Sequence, residues 1–138
     1  MADQGYHIII TDRNPNVRDL LRREMAAAGH AVQVAGTGRQ LIRKLHMDIS
    51  INLVIVDPDL PDTDPPTLSN LLARRFPAMP VIFHAFAFDD MGRFPFCHPA
   101  VFVEKSAASI ERLKLAVTDL LRDHRPFSRA HPEEIVAG

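Results

Sequence analysis

The sequence predicts an α/β domain built on an open, doubly wound, five-stranded parallel sheet. Five short apolar runs alternate along the chain with segments of helical periodicity, the pattern of strands joined by crossover helices. Most of these runs are apolar throughout rather than alternating apolar with polar, as expected of parallel strands buried on both faces. The length of 138 residues suits one such domain and leaves no room for two.

The elements follow in order. His7–Thr11 is a β-branched run and reads as the first strand. Asn14 and Pro15 then start a helix, Asn as the cap and Pro at the first helical position. Val17, Leu20, Leu21, Met25 and Ala28 are expected on its inward face, and Gly29 is expected to end it. Val32–Val34 is a short second strand. Thr37 and Gln40 have the spacing of a capping box, which opens a helix carrying Leu41, Ile42 and Leu45. Leu53–Asp57 is the third strand, apolar until its last residue. A loop rich in Pro and Asp, Pro58–Pro66, precedes a third helix with Leu68, Leu71, Leu72 and Phe76. Pro80–His84 and Ala100–Glu104 are strands four and five. The last helix, about Ala107 to His124, turns Ile110, Leu113, Val117, Leu120 and Leu121 inward.

Between Phe86 and Pro99 a fourth crossover helix is expected to be short or irregular. Gly92, Pro95 and Pro99 interrupt it, and a proline costs a helix interior about 3 kcal/mol. Six of the eight phenylalanines lie from 83 to 102: Phe83, Phe86, Phe88, Phe94, Phe96 and Phe102. They either fill core where a helix is missing or form an aromatic partner surface. The domain is expected to occupy residues 1–124, with 125–138 as a C-terminal tail.

Composition narrows the function classes. A net charge of −1 gives no global attraction to nucleic acid or to anionic membrane. No apolar run reaches the roughly 18–20 residues that span a bilayer. The polar start, Met1–Gly5, is unlike a secretory signal, and the single Cys97 cannot form an intrachain disulfide, which fits a cytoplasmic location. The seven histidines show no metal-ligand spacing, and His84 reads as a packed or hydrogen-bonded strand residue.

In a doubly wound sheet, ligands sit outside the carboxyl ends of the strands. Here that places Asp12, Asp57, Ala85 and Lys105 together. Three segments around them resemble response regulator receiver domains, in order and over nearly the whole domain. Thr11-Asp12-Arg13-Asn14-Pro15-Asn16-Val17-Arg18 resembles the receiver motif after the first strand. Val56-Asp57-Pro58-Asp59 resembles the phosphoacceptor strand and its loop. Phe102-Val103-Glu104-Lys105 resembles the fifth strand with its lysine.

This resemblance, to single-domain receivers of chemotaxis type, implies a flavodoxin-like topology with strand order 2-1-3-4-5. It also implies roles. Asp57 would be the phosphoacceptor, and Lys105 would contact the phosphoryl group. Asp12, Asp57 and the backbone carbonyl of Asp59 would hold Mg²⁺. Ala85 and Phe102 stand at the two switch positions. A hard cation and a lysine suit this chemistry because a carboxylate nucleophile and an anionic phosphoryl group repel.

The chain departs from the family pattern at four places. Arg13 replaces the second acid, a usual metal ligand, which weakens the metal site. Ala85 replaces a hydroxyl residue, Ser106 replaces the proline after the lysine, and Pro65 replaces a glycine. Lys105–Ser106 is expected to be trans, because a non-proline cis bond costs about 2.5–4 kcal/mol.

Three functions compete. The first is a stand-alone receiver in a two-component phosphorelay. It is not an enzyme, it takes phosphoryl groups from a sensor histidine kinase or phosphotransfer protein, and its output is a protein partner bound through the Phe86–Phe102 region. The second is a phosphorylation-independent interaction module, in which the Arg13 guanidinium takes the metal's place. The third, from Asp57-Pro58-Asp59, is a phosphohydrolase resembling haloacid dehalogenases. No direct contact with nucleic acid or membrane is expected of any of them.

Overall fold

The computed structural model describes residues 5–86 and 100–124. Expectations for the fourth crossover, for Phe88, Phe94 and Phe96, and for the tail lie outside these residues.

Nine elements follow one another: β1 (His7–Thr11), α1 (Pro15–Ala27), β2 (Ala31–Ala35), α2 (Gly38–Met47), β3 (Leu53–Val56), α3 (Pro65–Arg75), β4 (Val81–Ala85), β5 (Ala100–Glu104) and α4 (Ser109–His124). The strands form one sheet in the order β2-β1-β3-β4-β5, and every pair is parallel. This is the flavodoxin-like order.

The apolar runs explain the layers. Strand side chains alternate between faces, so each run feeds two cores. Ile9, Val54, Val56, Val81 and Phe83 pack with Leu41 and Leu45 of α2 and Leu68 and Leu72 of α3. Ile8, Ile10, Leu53, Ile55 and Ile82 pack with Leu21 and Met25 of α1 and Leu113 and Val117 of α4. Among the described residues no helix is long and apolar enough to cross a membrane.

The helix ends obey capping chemistry. Asn14 accepts from the N–H groups of Asn16 and Val17, with Pro15 following it. Gly29 ends α1 at φ +100°, a conformation that costs glycine little. Thr37 accepts from the N–H of Gln40, as a capping box requires. The return bond differs: Gln40 Oε1 accepts from Gly36 N–H, one residue before the cap, and not from Thr37.

Three other expectations are corrected. Leu20 and Ala28 are exposed: α1 buries Leu21 and Met25, Leu20 points well round the helix from them, and Ala28 lies past the last turn. The loop after β3 ends at Asp64, because Asp64 caps α3 and Pro65 and Pro66 fill its first turn, where the missing N–H groups cost nothing. β2 is longer than the apolar core of its run, reaching Ala31 and Ala35. No peptide bond among the described residues is cis, so Lys105–Ser106 is trans.

Candidate functional site at the carboxyl ends of the strands

Register builds the site. β1 and β3 pair with Thr11 opposite Val56, and the ladder runs one residue further as Asp57 N–H donates to Thr11 O at 3.0 Å. Asp12 and Asp57 therefore emerge side by side. They sit where the chain order reverses: β2 lies to one side of β1 and β3 to the other. On the far side of β3, Lys105 N–H donates to Ala85 O at 2.7 Å, which sets Lys105 at the same level.

The sheet thus brings the predicted residues together. Asp12 is fully buried and Asp57 nearly so. Lys105 Nζ lies 3.0 Å from Asp12 Oδ2 and 3.5 Å from Asp57 Oδ2. Arg13 Nε is 3.7 Å from Asp57 Oδ2, with the arginine side chain half exposed. The Arg13 backbone N–H also faces Asp57 Oδ2, at 3.4 Å. Asp57 Oδ1 accepts from the Asp59 N–H at 3.0 Å, while the Asp59 side chain is exposed. Asp12 Oδ1 accepts from the Asn14 N–H at 2.9 Å. The methyl of Ala85 is buried, and Phe102 packs on the core that covers α2 and α3.

Two buried carboxylates therefore meet two cations, with no net charge among the four side chains. Asp12 Oδ1 and both Asp57 oxygens accept from backbone N–H groups, whereas Asp12 Oδ2 has the Lys105 ammonium at 3.0 Å but no hydrogen-bond partner among the described residues. Among the described residues, no group of three or more His, Cys, Asp or Glu side chains is arranged to hold a metal ion. Mg²⁺ prefers several oxygens in octahedral geometry. Lys105 and Arg13 compete with any cation for Asp12 Oδ2 and Asp57 Oδ2, the oxygens a metal would need.

Sequence reading missed several supporting residues. Arg18 Nη1 donates to the Asp12 carbonyl at 2.9 Å and holds the turn below the pocket. Gly36 leaves room for it, since a Cβ there would meet Arg18 Nη1 at 2.6 Å. Phe86 is exposed, and its ring centroid lies 5.2 Å from Lys105 Nζ, a cation–π distance. Asp62 and Asp64, in the loop rich in Pro and Asp, cap helices. Asp62 accepts from Gly38 N–H at 2.8 Å and Arg39 N–H at 3.0 Å, and Asp64 accepts from Thr67 N–H at 2.9 Å. Those backbone N–H groups hold both carboxyls below the usual carboxylate range.

His84 is the buried strand histidine expected, with a further connection. Its Nε2 lies 3.1 Å from Ser109 Oγ, whose hydroxyl donates to Ser106 O at 2.9 Å. Ser109 must therefore accept from His84, so the ring carries its proton on Nε2. His84 Nδ1 is buried and unpartnered among the described residues. Burial, and then the charge of Lys105, push its pKa down to about 4, against a smaller upward pull from Asp57.

No protein-family model and no curated protein matches the chain. Solved structures do. Response regulator TrrA from Thermotoga maritima, in complex with Mg²⁺-BeF, superposes with TM-score 0.76 at 22% identity, covering 84% of this chain and 99% of that one. The chemotaxis response regulator CheY4 of Vibrio cholerae gives 0.72 at 14% identity, over 85% and 99%. TrrA in complex with histidine kinase ThkA gives 0.72 at 23% identity, over 84% and 98%. The chain has the fold of response regulator receiver domains.

Proposed function

We propose that this chain is a receiver module of two-component signal transduction, acting in the cytoplasm as a signalling protein rather than an enzyme. Asp57 is its phosphoacceptor position. The observation that carries this reading is the placement of Asp57: a buried carboxylate at the β1/β3 switch point, 3.5 Å from the Lys105 ammonium. In this reading a sensor histidine kinase or a phosphotransfer protein supplies a phosphohistidine. Asp57 Oδ2 attacks the phosphorus, the P–N bond breaks, and the imidazole leaves with the electron pair and takes up a proton. Lys105 and Arg13 neutralise the phosphoryl oxygens, and Asp59 N–H holds the other Asp57 oxygen. Mg²⁺ is at most a weak ligand of this pocket. Output passes to a protein partner through the Phe86–Phe102 region. Phosphoryl transfer from a labelled kinase to the wild-type chain, and none to Asp57→Asn, is the expected result.

A second reading has its own observation. Arg13 Nε stands 3.7 Å from Asp57 Oδ2 and, with Lys105, already balances both carboxylates. The domain would then be an interaction module that needs neither phosphoryl nor metal. Partner binding left intact in a folded Asp57→Asn variant supports this second reading, and its loss supports the first.

A further inference from the structure

Each face of the sheet carries a pair of helices, α1 and α4 on one and α2 and α3 on the other. Between α2 and α3 runs an open groove of about 870 Å³, floored by Ile42, Leu68 and Leu71. Its walls carry Arg39, Arg43 and Arg75, all exposed. Arg43 and Arg75 form no ion pair with a carboxylate among the described residues, whereas Arg22, Arg23 and Arg122 do, and Arg39 acts on the carboxylate of Asp62. The one acid on the rim, Asp62, spends its oxygens on the first N–H groups of α2.

A second depression of about 300 Å³ shares Arg75 with the groove and is lined also by His46, Ile49 and Phe76. Met47 and Ile49, at this end, are 79% and 55% exposed, two of five large hydrophobics left to solvent among the described residues. The groove thus combines an apolar floor with flanking cations, and exposed apolar residues stand near the C-terminal end of α2. None of the pocket residues Asp12, Arg13, Asp57, Ala85 or Lys105 lines it.

We propose that the α2–α3 groove is a docking site for an acidic amphipathic helix of a partner protein. Its apolar stripe lies over Ile42 and Leu71, and its carboxylates pair with Arg39, Arg43 and Arg75. This is helix-in-groove recognition, with anchors at helical spacing. The ten residues of α2 span about 15 Å, which sets an occupant of roughly three turns. Charge and floor together select the occupant. A phosphate-rich chain would find Asp62 where the α2 N-terminus could have bound it, and an apolar floor it cannot use. A second copy docking groove to groove would bring arginines against arginines. The proposal goes beyond the strand-end pocket and does not depend on phosphorylation of Asp57.

The test uses the full chain and a synthetic helical peptide of about three turns, with leucines at i, i+3, i+4 and i+7 flanked by glutamates. Amide shifts are followed by NMR at low salt. The expected result is shifts confined to α2 and α3. Affinity should fall about tenfold or more in Arg43→Glu/Arg75→Glu, the equivalent of about 1.4 kcal/mol. It should weaken with salt, since exposed ion pairs are screened. A matched lysine peptide should not bind. Four results would overturn the proposal: no shifts at about millimolar peptide, a concentration at which even weak specific contacts register; shifts on another face; binding indifferent to the charge reversals; or a short RNA or a second copy of the chain taking the groove in preference. The spectrum of each variant reports its folding in the same experiment.

Discussion

Lys105 and Asp12 form the closest ion pair of the pocket, Nζ to Oδ2 at 3.0 Å, with the acid completely buried and the lysine 9% exposed. The two residues are far apart in sequence and meet because β1 and β5 end at the same level of the sheet. The same ammonium also reaches Asp57, so one cation serves two buried carboxylates.

Removing that cation leaves both acids buried, with only half-exposed Arg13 nearby. Lys105→Met is therefore expected to destabilise the fold by about 3–5 kcal/mol, the usual cost of breaking a buried pair. Adding Asp12→Asn to Lys105→Met should recover part of the loss, because one stranded charge is gone. Urea unfolding of the single and double variants checks both statements. A loss below about 1 kcal/mol would place the pair among exposed, weak ones.

His84 makes stability depend on pH. Its folded pKa, about 4, lies below the value of 6.5 for a free histidine. Between these values the unfolded chain binds more protons, so stability falls as pH drops from about 6.5 and the loss is complete near 4. The shift is worth about 3 kcal/mol at full extent. Burial also lowers the pKa of His30, which acts in the same direction. The difference between wild type and His84→Gln isolates His84. Wild type should lose more stability than the variant between pH 7 and pH 4.5, and parallel curves would count against the buried neutral ring.

Arg13 stands where a cation beside Asp57 would compete with a metal. Arg13→Asp removes a cation beside Asp57 and adds a third carboxylate, so Mn²⁺ or Mg²⁺ binding should rise at least about tenfold, a change of about 1.4 kcal/mol. Arg13→Ala should raise it less. Calorimetric titration of the three proteins gives the order. Equal affinities would mean that Arg13 does not compete with a cation. Stability should change little in Arg13→Ala, since a half-exposed pair at 3.7 Å contributes less than about 1 kcal/mol.

The strands were legible because burial on both faces leaves a continuous apolar run, and their order places Asp12, Asp57, Ala85 and Lys105 with no further information. Local caps were legible too: Asn14 and Thr37 act within three residues of themselves. What was missed acts at long range or through competition. Asp62 caps a helix that begins 24 residues earlier, which no local pattern signals. Pro65 and Pro66 look like loop in isolation and become a helical first turn once Asp64 caps it. Leu20 has the right residue type at the wrong angle. Arg13 was legible as the replacement of an acid, but it is the turn after β1, which points its backbone N–H at Asp57, that brings the guanidinium near the carboxylate.

Whether Asp57 takes a phosphoryl group decides between a receiver and a phosphorylation-independent module. Intact-mass measurement after incubation with a small phosphodonor and Mg²⁺ should show one added phosphoryl group on the wild-type chain and none on Asp57→Asn. No addition to the wild type with any donor or kinase, or addition that persists in Asp57→Asn, would contradict the receiver reading.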